Sequence, residues 1–187
     1  MTAQIHDRIL FHDRELEIVT IDGGPLPSPM DFGMFPRPLH TACWRGYHNR
    51  YRMDEEGFLV LESMVVGNCE NGWKTVNGKK PSVDEGTSRA EYTEIGFRTS
   101  FTGRLQAAAD FIDSKYVHMG FHPASAYETV LELEVEDGKL VSVQDLSCEN
   151  RKQRTSDGPI KGADLMDWIK KRFSMDPSIK GVRRKDD

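Results

Sequence analysis

Cysteine is scarce in this chain of 187 residues, which has only Cys43, Cys69 and Cys148. An odd number of cysteines does not build a disulfide framework, so a reducing cytoplasm is the expected setting. The N-terminal stretch from Met1 to Arg8 has no apolar h-region, and a secretory signal is not expected. No apolar run nears the roughly 20 residues that a membrane-spanning helix needs, so no membrane partner is expected. A surplus of positive charge is missing too. Lys and Arg total 25, Asp and Glu total 30, and the net charge is −5. Coating nucleic acid by counterion release needs a basic surface, so nucleic acid is not an expected partner. The common catalytic signatures are absent: there is no G-x-S-x-G elbow, phosphate-cradling glycine loop, H-E-x-x-H helix or C-x-x-C pair. No cofactor is expected.

What charge there is lies unevenly. Residues 170–187 hold seven basic and three acidic side chains, a local net of +4, which leaves −9 on residues 1–169. The length suits one domain, placed at 1–174, followed by a basic, flexible tail at 175–187.

Five of the nine prolines fall between Pro25 and Pro38. Such a stretch forms neither a helix nor a central strand. It also carries Met30, Phe32, Met34 and Phe35, so an ordered strap packed across the domain is expected at 25–38. Two further polar stretches, Asn77 to Thr93 and Glu149 to Gly158, read as surface loops.

Alternation of apolar and polar residues predicts strands over Phe97–Leu105 and Tyr127–Val135. Two segments share a local pattern: Glu55-Glu56-Gly57-Phe58-Leu59-Val60 and Glu136-Asp137-Gly138-Lys139-Leu140-Val141. Each places acidic residues and a turn-forming glycine between two β-rich runs. Three-residue loops segregate apolar from charged residues best. They set Met53 against Leu59, Tyr51 against Leu61, Asn49 against Ser63, Tyr47 against Val65 and Arg50 against Glu62. Residues 58–66 are apolar on both parities and should form a central strand. Leu165, Trp168, Ile169 and Phe173 make one stripe of a helix over about 162–174, suited to cover that strand. A short helix or turn is expected over Gln106–Ser114. The fold class is therefore mainly β (α+β): a curved antiparallel sheet or partly open β-barrel, with one C-terminal amphipathic helix packed on it.

On the strand that holds Cys43-Trp44-Arg45-Gly46-Tyr47-His48-Asn49-Arg50-Tyr51, the inner face would carry Arg45, Tyr47, Asn49 and Tyr51. An Arg and an Asn on an apolar face are costly unless paired or wetted. They suggest either a ligand cup, with Arg45 as the fork for an anionic group, or a core Arg satisfied by an acidic residue elsewhere. The segment Tyr116-Val117-His118-Met119-Gly120-Phe121-His122-Pro123 offers His118 as a candidate acid or base. In an extended chain His118 and His122 would stand roughly 13 Å apart, too far to share a metal ion, and no metal site is expected. The row Glu128, Glu132, Glu134 and Glu136 reads as a solvated acidic ladder.

The segments Thr41–Tyr47 and Tyr116–Phe121, followed by Tyr127-Glu128, resemble an uncharacterised bacterial protein family. In it an Arg-Gly-Tyr strand precedes a Tyr-Val-His-Met-Gly segment and a Glu-rich hairpin. The resemblance implies a bacterial, cytoplasmic setting and brings no activity, substrate or residue role.

The expected function is a binding protein that does not catalyse. It would hold a small anionic molecule in a cup lined by Arg45, Tyr47, Asn49, Tyr51, His118 and Tyr127, or bind a protein partner. The alternative is a small enzyme with His118 as acid or base and Arg45 as the anion anchor.

Overall fold

The computed structural model describes residues 2–84 and 86–154. It shows a mainly β protein built on one large, curved and unclosed sheet, with one described helix packed against it. In chain order the strands are β1 (Arg8–Phe11), β2 (Arg14–Gly23), β3 (Tyr47–Met53), β4 (Leu59–Val66), β5 (Ser82–Asp84), β6 (Arg89–Tyr92), β7 (Phe97–Arg98), β8 (Gly103–Phe111), β9 (Tyr127–Glu136) and β10 (Lys139–Asp145). The helix α1 spans Ser147–Arg154. Across the sheet the order is β10-β9-β8-β2-β1-β3-β4-β6-β5, and β7 pairs with β4. The sheet is mixed, because β1 runs parallel to β3 while its other pairings are antiparallel.

The two glycine turns do not close in the same way. Between Asp54 and Phe58 the loop spends Glu55, Glu56 and Gly57, as the pattern suggests, and Met53 faces Leu59. In the second hairpin Glu136 pairs with Lys139, so the loop has two residues, not the expected three. Asp137 and Gly138 both take positive φ (46° and 78°), the combination a two-residue turn requires. A bulge at Val141 then shifts the phase by one residue and returns Val143 to the side of Leu133.

A second bulge corrects the β3–β4 register. Tyr51 faces Leu61 as expected, but Glu62 is an extra residue, and Arg50 therefore faces Ser63, Asn49 faces Met64 and Tyr47 faces Val66. Glu62 still reaches Arg50 at 3.7 Å and Arg52 at 3.4 Å.

The two hairpin tips meet. Leu59 donates its N–H to the Gly138 carbonyl at 2.7 Å, and Leu140 donates to the Gly57 carbonyl at 2.9 Å. Phe58 bridges Lys139 between them, so the two hairpins touch at their tips while the sheet stays open.

Inside the curve lies one apolar cluster containing Ile9, Leu16, Ile18, Tyr51, Leu61, Tyr92 and Leu105. Leu26 and Met34 from the proline-rich stretch belong to it, and the Pro27 carbonyl accepts bonds from Asn49 Nδ2 (2.9 Å) and Tyr51 Oη (3.0 Å). Phe32 meets Phe97 edge to face at 5.5 Å. A smaller cluster of Val19, Ala108, Ala126, Tyr127 and Val130 forms a second buried group.

Several local expectations need correction. The strand predicted over 97–105 is interrupted: β7 ends at Arg98 and β8 starts at Gly103. The helix or turn predicted over Gln106–Ser114 is mostly the strand β8. Its alanines favour helix intrinsically, but Ala107 is buried in one cluster and Ala108 in the other, and tertiary packing decides. The loop expected over Asn77–Thr93 contains β5 and β6. The loop expected from Glu149 begins instead inside α1. That helix is anchored by polar groups rather than an apolar stripe: the Asp145 carboxylate accepts the Ser147 N–H, and Asn150 Nδ2 donates to the carbonyls of Ala124 and Tyr127. The helix expected over about 162–174 and the tail at 175–187 lie outside the described residues. No described helix is long and apolar enough to cross a membrane.

Candidate functional site

Arg45 does not lie on β3 but in the turn just before it. From there its guanidinium grips Asp7 with both terminal nitrogens, at 2.6 and 3.0 Å. Asp7 precedes β1 and its side chain is only 5% exposed, against 23% for Arg45. The same carboxylate accepts the Asn49 backbone N–H at 2.6 Å. One buried acid thus pins the N-terminal segment, the turn at 45 and the start of β3. Burial works against the charge on Arg45, but the facing carboxylate more than offsets it and keeps the guanidinium firmly protonated. The guanidinium also lies over the Tyr47 ring at 4.8 Å and the Phe121 ring at 5.8 Å.

Asn49 is 2% exposed and passes its amide to Pro27 and to Tyr51 Oη. Burial pushes the Tyr51 hydroxyl well above the ordinary phenol range, and the Tyr47 hydroxyl rises for the same reason. His48, on β3 between Tyr47 and Asn49, is moved down by burial.

The six residues expected to line a cup do not gather in one place. Arg45, Tyr47, Asn49 and Tyr51 share the Asp7-centred network. Tyr127 belongs to the second cluster, where its hydroxyl donates to the Glu17 carboxylate, and burial followed by that carboxylate raises its pKa. His118 is exposed and meets only the Tyr116 ring among the described ring contacts, at 4.8 Å. A groove of about 330 Å³ lies elsewhere, lined by Asp22, Gly23, Arg104, Glu134 and Glu136 among others, and it includes none of the six.

Arg45 has a partner that the sequence hid. Asp7 stands in a short run whose neighbours Ile5, His6 and Arg8 give no sign of it, and only an unassigned buried Arg asks for such an acid. Gln4 was equally silent. Its N–H donates to the Gly120 carbonyl at 2.8 Å and its Oε1 accepts the Trp44 N–H at 3.0 Å. Gln4 thereby brings the segments 40–47 and 116–122 together. They form a rim on which Trp44 is 59% and Tyr116 45% exposed.

His118 and His122 flank one ring, Tyr116, at 4.8 and 5.2 Å, so the segment between them is folded rather than extended. Among the described residues no group of three or more His, Cys, Asp and Glu side chains could hold a metal ion.

Compared with known protein families, curated proteins and solved structures, the chain shows no match to any of them.

Proposed function

We propose that the chain is a binding protein without catalysis, and that its partner is another protein docked on the rim formed by residues 40–47 and 116–122. The observation that carries this reading is the exposure of Trp44, whose N–H is held by Gln4, and of Tyr116, whose N–H donates to the Asp113 carbonyl. Large aromatic side chains supply much of the binding energy at protein interfaces, and segments already held in place lose little freedom on docking.

The small-anion branch is weaker because Arg45 is already committed. An incoming anion would have to take the guanidinium from Asp7 and leave a buried carboxylate unpaired, which typically costs about 3–5 kcal/mol. The proposal includes a cytoplasmic setting, which the three free cysteines, Cys148 among them exposed, support.

A photo-activatable amino acid placed at position 44, at 116, or at the exposed Lys80 as a control tests the proposal in cells expressing the chain. Discrete protein adducts from 44 and 116 but not from 80 are expected. No adduct from 44 or 116, together with a thermal shift on addition of an anionic metabolite that Arg45→Met abolishes, would overturn it in favour of the cup.

A further inference from the structure

The loop from Val117 to His122 is closed by a side chain rather than by a backbone pair. His122 Nε2 accepts the Val117 N–H at 3.3 Å, and the imidazole is 7% exposed. A backbone N–H can only donate, so this nitrogen must carry a lone pair, and the ring must be neutral. Adding a proton turns both ring nitrogens into donors. Val117 N–H and His122 Nε2–H would then oppose each other.

Aromatic rings are among the neighbours of His122. The His122 ring lies 4.7 Å from Phe111 and 5.2 Å from Tyr116. Behind Phe111 stands Tyr127 at 5.3 Å, hydrogen-bonded to the Glu17 carboxylate, while the Arg154 guanidinium bonds the Tyr127 carbonyl. His118 meets the Tyr116 ring edge to face at 4.8 Å. The segment that His122 closes also carries Phe121, which packs against Arg45 and, at 5.0 Å, against His6.

We infer that His122 is a proton-operated latch: neutral, it holds residues 117–121 in their folded place beside residues 40–47, and protonated, it releases them. The rim is then assembled at neutral pH and loosened in acid. The opened loop leaves an imidazole with an ordinary pKa of about 6.5. Below that value each pH unit favours opening by about tenfold, since one extra proton is bound in the open form.

Amide hydrogen exchange on the full, free chain, corrected for intrinsic rates, tests this between about pH 7.5 and pH 5. Protection over residues 117–121 should stay level from pH 7.5 to about 6.5 and fall about tenfold per unit below that in the unaltered protein. In His122→Gln, whose side-chain oxygen still accepts from Val117, protection should not change with pH, while His118→Gln should behave like the parent. A flat profile in the parent, or an unchanged slope in His122→Gln, overturns the latch. Should His122→Gln fail to fold, the parent still decides by NMR: the Val117 amide must shift with the His122 titration, and an amide indifferent to it overturns the proposal. All arms use the free chain, so they stand apart from whether a partner docks on the rim.

Discussion

Leu59 gives its backbone N–H to the carbonyl of Gly138 at 2.7 Å, and this bond ties the tip of one hairpin to the tip of another. The Gly138 N–H in turn donates to Phe101 at 2.8 Å, so a single glycine holds three parts of the chain. A Cβ at Gly138 would fall 1.9 Å from the Thr99 carbonyl oxygen, on a residue whose φ is +78°. At Gly57 in the other tip φ is +83°, yet nothing lies within 4 Å of the added atom.

These two positions separate conformational strain from collision. Gly57→Ala should cost about 1–2 kcal/mol, the left-handed penalty alone. Gly138→Ala should cost at least about 3 kcal/mol, because backbone atoms must move as well. Urea unfolding of both variants checks this, and equal costs would show that the tips are not joined.

Alkaline pH should unfold the protein through its tyrosines. Burial raises the hydroxyl of Tyr92 to about 12, holds that of Tyr51 well above the ordinary phenol range and, with the Glu17 carboxylate, raises that of Tyr127. The unfolded value is about 10. A raised acid binds its proton more tightly when folded, so its contribution is complete below about pH 10 and is lost as the pH climbs above it. Tyrosinate absorbance should therefore miss at least these three residues until the fold melts. Ionisation of all five tyrosines in a protein that remains folded near pH 10.5 would contradict their burial.

His48 acts in the opposite direction of pH. Burial lowers its pKa below the ordinary value of about 6.5. The folded state then favours the neutral ring, so stability is complete above about pH 6.5 and declines as the pH falls towards the folded pKa. His48→Gln should flatten this part of the acid limb in urea midpoints measured from about pH 7.5 to pH 5. An unchanged acid limb would show that His48 is solvated.

The mainly β class and the β3–β4 hairpin were legible because alternation and a glycine turn report directly on a half-buried pair of strands. The bulges at Glu62 and Val141 were not, since each inserts a single unpaired residue into an otherwise regular ladder. The N-terminal strands β1 and β2 gave weaker alternation and drew no strand prediction, though they form the middle of the sheet. Buried Arg45 was identified as needing either a ligand or an acid. Nothing local could choose Asp7, because a long-range ion pair leaves no periodic trace. The bond that His122 makes was not readable, because its direction depends on where Val117 folds back.

The account rests on Arg45 being held by Asp7 as a pin for the rim rather than standing ready for an anion. A double-mutant cycle with Asp7→Ala and Arg45→Met, read as urea unfolding free energies, measures this most directly. Asp7→Ala alone should cost about 3 kcal/mol, with a coupling between the two sites of at least about 1.5 kcal/mol. Additive costs with a coupling below about 0.5 kcal/mol would contradict the pin and return Arg45 to the role of a free anion anchor.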